Sequence, residues 1–201
     1  MKYGLMGKIY GYAFYQMCKN DLSKSVSQKD IKEIRREYKA IHRRAKDIGS
    51  DNKLYMSYTM CMFYIAMNRQ TNLTAEVTYQ ILHDGIKNSG LIQKFLGTAD
   101  AYLDQKKMAG RLKWSEKTHQ KQYENDWVVD ILPGCDEYDL GYDYTECGVC
   151  KLCRDEGCLE LAAYNCRIDF LLAEMIGMEL KRTTNMAEGG SVCDFRYRKI
   201  S

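Results

Sequence analysis

The chain has 201 residues, 45% of them hydrophobic and 28% charged, with a net charge of +3. That length suits one domain, or one domain with a helical extension, and the apolar share is ample for a core. So small a net charge makes no case for nucleic acid, and no apolar run reaches the roughly 18 residues that a membrane span needs.

Nine cysteines are an odd number, so a complete intramolecular disulfide set is excluded. Lys8, with Gly4, Gly7 and Gly11, interrupts the apolar start, and no signal peptide is expected. The simplest compartment is then a reducing cytosol, with thiols free, metal-bound or catalytic. The first fifty residues hold 12 Lys/Arg against 5 Asp/Glu. A basic helix meeting an acidic partner and a plain solvated helix face both fit that bias.

In chain order, residues 1–19, rich in Tyr, Met and Gly, read as a helix or loose turns. Asp21 to Lys29 reads as a polar loop. Ile31, Ile34, Tyr38, Ile41, Ala45 and Ile48 recur in steps of three and four, which predicts a helix over 30–48. Ser27 with Asp30 resembles a capping box, and Gly49 stops the helix. His42, beside Arg43-Arg44, is expected to face solvent. Residues 52–68 are apolar nearly all round in their second half, as a buried helix would be, with Met filling irregular gaps. Thr74 caps a further helix whose Val77 and Ile81 turn inward, with Glu76 placed against the helix dipole. Gly85, Gly90 and Gly97 punctuate the next stretch, and another helix is expected over 98–120.

The period then changes. Asp126 to Leu132 is β-branched and aromatic, and Tyr138, Leu140, Tyr142 and Tyr144 alternate with Asp139, Gly141 and Asp143. Joined through Pro133-Gly134, these predict a hairpin. Helices over 146–155 and 158–177 come next, then a second hairpin from Met178–Thr184 and Val192–Lys199. The expected fold is α+β: a mainly helical region over 1–122, packed as one unit with an α+β region over 123–201. That second region should hold an antiparallel sheet of about four strands covered by helices.

The chemistry concentrates in the second region. On a helix over 158–177, Glu160, Arg167 and Glu174 form the solvent stripe. Asp169 points roughly 160° away from Arg167, onto the face of Ala162, Cys166, Ala173 and Ile176. A carboxylate on an apolar face is costly unless paired or hydrogen-bonded, so Asp169 is a candidate general acid or base. A capping or bridging Asp gives the same pattern. Cys166 lies beside it, and activating that thiol needs a cation, for which Arg182 and Arg196 are at hand. A small buried hydrophobe is the alternative role for Cys166. Cys193, Phe195 and Tyr197 share one strand face; Asp194, Arg196 and Arg198 share the other. Cys147, Cys150, Cys153 and Cys158 invite a zinc or iron–sulfur site. Their spacing departs from the ferredoxin run, the three histidines lie far upstream, and no second CxxC pair exists, so no metal or cofactor is expected.

These residues carry a family resemblance. A Tyr-rich strand leads into Glu146-Cys147-Gly148, and Cys166-x-x-Asp169 sits on a helix. Arg182-Thr183-x-Asn185, Ala187-Glu188-Gly189 and Cys193-Asp194-Phe195-Arg196 complete the pattern. The chain here resembles the L-2-amino-thiazoline-4-carboxylic acid hydrolase family, over roughly its C-terminal third at motif level. The resemblance implies hydrolysis of a small cyclic amidine, opened to N-carbamoyl-cysteine. It implies Asp169 as base, Cys166 and Cys193 as nucleophile or site-shaping thiols, and Arg182 as the binder of the substrate carboxylate. Glu188, Asp194 and Arg196 stand as further substrate-side groups, the two acids in reserve for proton transfer. The expected partner is a small-molecule substrate, with self-association left open. A looser likeness to the cysteine-containing hairpin of vinyl-reductase-type domains implies ligand sensing instead.

Overall fold

The computed structural model describes residues 3–49 and 51–200. Of the first segment read from sequence, residues 1 and 2 lie outside the described residues. Helix α1 (Leu5–Ser25) runs into the stretch expected to be a loop, and the next helix starts at Gln28, so only Val26 and Ser27 of that stretch are non-helical. Phe14, Cys18 and Leu22 recur every four residues and are buried, so a single thin apolar stripe holds a polar helix in place. Tyr38 of α2 (Gln28–Arg44) reaches across to donate to Gly7 O at 2.9 Å. The capping box is formed: Asp30 N donates to Ser27 Oγ at 3.2 Å, and Ser27 N to Asp30 Oδ2 at 2.9 Å. The helix ends at Arg44, and Ile48 is buried beyond it.

His42 does not face solvent; it is fully buried. Gly7 is the reason. A Cβ there would stand 2.4 Å from His42 Nε2, so only a glycine lets α1 close over the imidazole. Nε2 meets Tyr55 Oη at 3.1 Å. Burial holds the ring neutral, with its pKa lowered to about 4.

Helix α3 (Tyr55–Arg69) is the central rod, buried continuously from Tyr58 to Met67. Helix α4 (Ala75–Lys87) is capped by Thr74, whose Oγ1 accepts from Val77 N at 3.3 Å. Val77 itself is exposed, and Thr78, Tyr79, Ile81 and Leu82 face inward instead. The single helix expected over 98–120 is broken. After α5 (Gly90–Leu96) come α6 (Ala99–Leu103), a short 3-10 turn and α7 (Met108–His119). Asp104, at φ −52° and ψ 117°, leaves the helical region, and its carboxylate caps the turn by accepting from Lys106 N.

Strands β1 (Val128–Pro133) and β2 (Leu140–Glu146) form the first hairpin. Helices α8 (Gly148–Asp155) and α9 (Glu160–Met175) come next, then β3 (Met178–Lys181) and β4 (Cys193–Lys199). The sheet is fully antiparallel in the order β1-β2-β4-β3, so β4 inserts between β2 and β3. Register places Tyr142 opposite Phe195 and Tyr144 opposite Cys193. These residues share the face that meets the helices, while Asp143, Asp194 and Arg196 share the other.

Two cores result. One joins α1 to α4 with α8, α9 and Trp127. The other lies under the sheet, between Val129, Ile131, Tyr142, Leu180 and Phe195 on one side and Ala173 and Ile176 on the other. Both cross residue 122. Helix α7 packs on β1, with Ser115 Oγ donating to Val129 O at 2.6 Å, while α8 and α9 pack among the N-terminal helices. Helix α9 belongs to both cores, with Leu161, Ile168 and Leu171 in the first and Ala173 and Ile176 in the second. No described helix is long and apolar enough to cross a membrane.

Candidate active site

At the seam between the cores lies a cavity of about 320 Å³. Asp169 enters it from α9, and Arg182 from the end of β3. Arg182 Nη1 donates to Asp169 Oδ2 at 3.1 Å and Nη2 to Cys166 O at 3.3 Å. The guanidinium lies against the rings of Phe170 and Phe195, 4.9 and 5.1 Å from their centroids. Only 5% of the Arg182 side chain is exposed, whereas Asp169 keeps 34%, facing the cavity. Protein nevertheless surrounds the carboxyl group, and the loss of bulk water raises its pKa. Arg182 opposes that rise without cancelling it, and the pKa settles at about 6.

Three thiols share the cavity wall: Cys147, Cys166 and Cys193. Burial and the Asp169 charge push Cys166 well above the ordinary thiol range. Burial pushes Cys193 up to about 11, even though its sulfur accepts from Met186 N at 3.2 Å. Cys147 goes the other way. It stands at the start of α8, where the Cys150 thiol first, and then the N–H groups of Cys150 and Val149, favour its thiolate over the cost of burial. The Cys147 side chain makes no capping hydrogen bond to the helix. Gly148 allows this approach, since a Cβ there would lie 2.6 Å from Asn125 O and 2.7 Å from the Trp127 ring.

Asn165, one turn before Asp169 on α9, also lines the cavity. The residue is 5% exposed, and its Oδ1 has no hydrogen-bond partner among the described residues. Trp127, Tyr144 and Tyr197 supply much of the remaining wall. Asn165 was not singled out from sequence, and Cys147 was named there as a possible metal ligand and as part of the family pattern, not as a catalytic or substrate-binding residue. Helical phase held the signal for the first, because position 165 falls on the Asp169 face. The signal for Cys147 was a thiol immediately ahead of a glycine-led helix.

The other substrate-side candidates lie outside the cavity. Asp194 is a clip: Oδ1 accepts from Thr183 N at 2.9 Å and Thr184 N at 2.7 Å, and Oδ2 from Thr183 Oγ1 at 2.6 Å. It fixes the turn that carries Arg182. Glu188 is bound to Asn185 within the 185–190 turn. Gly190 is required in that turn, since a Cβ would lie 2.2 Å from Thr184 Oγ1. Arg196 lies on the opposite sheet face, paired with Asp143 Oδ1 at 2.7 Å and set over the Tyr138 ring. Strand alternation decides this: the residues on either side of an inward Phe195 must point outward.

The cysteines considered as metal ligands fall into two pairs: Cys147, at the cavity, lies beside Cys150, while Cys153 lies beside Cys158 and approaches Cys61, with sulfurs 3.5 Å apart. Among the described residues, no three His, Cys, Asp or Glu side chains are grouped to hold a metal ion.

Fold and site together define an α+β protein with thiols, a carboxylate and a guanidinium gathered where two helices meet a sheet face. The sequence model of the L-2-amino-thiazoline-4-carboxylic acid hydrolase family matches residues 52–197, and the chain belongs to that family. The match takes in α3 to β4, and so every residue of the cavity wall. Searches of the curated proteins and of the solved structures found no match.

Proposed function

We propose that this protein is a hydrolase that opens a small cyclic amidine bearing a carboxylate, of the 2-aminothiazoline-4-carboxylate type, to an N-carbamoyl amino acid such as N-carbamoyl-cysteine. The observation that carries the reading is the Asp169–Arg182 pair inside a cavity of about 320 Å³. Such a ring compound has a cationic amidine at one end and a carboxylate at the other. Arg182 has donors left after its bonds to Asp169 and Cys166, enough to hold the substrate carboxylate. Asp169 faces the amidine, and above pH 6 it is an anion able to take a proton from water and return it to the leaving atom. Family membership supports the same chemistry.

The test is turnover of 2-aminothiazoline-4-carboxylate by the purified protein. Asp169→Asn is expected to lower it at least about a hundredfold. Near-normal activity in that variant would remove Asp169 as the base. Binding of the ring compound by the unaltered protein without turnover would instead support ligand sensing.

A further inference from the structure

We infer that Cys147 is the covalent nucleophile of the cavity, its sulfur attacking the ring carbon held between nitrogen and sulfur. This rests on the ring-opening reading of the same site. Cys147, Asp169, Arg182 and Asn165 line one cavity, reached from three different parts of the chain. Cys147 alone of the three wall thiols stands at the N-terminus of a helix, whose dipole favours a negative sulfur, and the neighbouring Cys150 thiol acts in the same direction. Asp169 opposes a thiolate at both Cys147 and Cys166, but at Cys166 its charge is second only to burial and no helix start offsets it. Asn165 points independently to a ligand: a buried oxygen without a partner, on the face of α9 that carries Asp169, suits the N–H of an amidine or urea.

The chemistry closes without an oxidant or a further reactant. A bond forms from Cys147 sulfur to the ring carbon as the ring carbon–sulfur bond breaks. The electron pair of the broken bond goes to the ring sulfur, which takes up a proton and becomes the free thiol of the opened substrate. The enzyme then carries an S-linked isothiouronium. Water adds to the same carbon, one of its protons going to Asp169; the second leaves the new hydroxyl as the carbonyl forms and replaces, through solvent, the proton taken by the ring sulfur. The Cys147–carbon bond breaks with its electron pair returning to the Cys147 sulfur, and the product leaves as the N-carbamoyl compound. One thiolate replaces another in the first step, so nucleophile and leaving group are matched.

The experiment uses the full chain carrying Cys135→Ser, which removes the one exposed thiol and leaves eight buried ones. Three readouts are combined. Cys147→Ala and the closer Cys147→Ser, both checked for native circular dichroism, are expected to lose at least about a hundredfold in turnover while still binding 2-aminothiazoline-4-carboxylate. Rapid quenching of the Asp169→Asn protein with that substrate, followed by peptide mass mapping, is expected to find one substrate mass on Cys147. Iodoacetamide is expected to label Cys147 first among the eight, and the ring compound to slow that labelling. A folded Cys147 variant keeping turnover within about threefold, or an adduct on Cys166 or Cys193, overturns the assignment while the ring-opening reading stands. Should the unaltered protein turn nothing over, the ring-opening reading fails and the attack of Cys147 on the ring carbon fails with it. First labelling at any other buried thiol overturns the assignment of Cys147 in either case.

Discussion

Asp169 and Arg182 share a hydrogen bond but differ in surroundings, and the difference sets a pH dependence. Burial outweighs the guanidinium, so the carboxyl group titrates at about 6 rather than near its ordinary value of 3.8. A carboxyl group raised on folding opposes stability once ionised, so its cost is present above pH 6 and vanishes as pH falls below the ordinary value. Function needs the ionised form. The acid limb of kcat/KM is therefore expected to have its midpoint near pH 6 in the unaltered protein. Arg182→Gln removes the cation that holds the value down, so the limb should move to higher pH as well as losing amplitude. A limb that stays in place in a pH–rate profile of that variant would show that Arg182 does not act on Asp169.

At the scale of elements, the Arg182-Thr183-Thr184 turn and Asp194 form a single device. Three hydrogen bonds from the turn converge on one carboxylate of β4 and thereby fix the direction of Arg182. The same strand sends Cys193 and Phe195 to the cavity and Asp194 and Arg196 away from it, so the clip and the wall are opposite faces of one ladder. Asp194→Ala is expected to cost about 1–3 kcal/mol in urea denaturation and to weaken substrate binding, although Asp194 lies outside the cavity. Unchanged KM and unchanged denaturation midpoint would together exclude the clip as the support of Arg182.

Across the whole molecule, Glu156 at the end of α8 ties the two regions together. Its side chain, 5% exposed, accepts from Arg44 of α2 at 2.6 Å and from Arg69 of α3 at 2.5 Å. Glu37 accepts from both arginines as well, closing a four-residue network. Burial raises the Glu156 pKa, but the two arginines lower it further, so the net direction is down. A depressed carboxyl group contributes stability that is present above its ordinary value and lost as pH falls through the folded one. Glu156→Gln is expected to lower stability by about 1–3 kcal/mol at neutral pH, with the difference shrinking in acid; thermal unfolding at two pH values measures it. Equal midpoints for the two proteins at neutral pH would show that packing alone joins α8 to the helices.

The sequence by itself determined the α+β class, the two hairpins, the helix pair between them and the inward turn of Asp169. All of these come from local period, and a period of two or 3.6 is written in neighbouring residues. It also placed Cys193 and Arg196 on opposite strand faces. The features it did not determine depend on who packs against whom. His42 is buried because a glycine on another helix leaves room for it. Asp194 is a clip because a turn ten residues earlier offers it three donors. Cys147 belongs to the cavity as well as to the cysteine series it starts, since β2 ends at Glu146 and α8 turns from there into the helical core. Charge and burial at a point are sums over segments distant in sequence, and only the tertiary structure performs that sum.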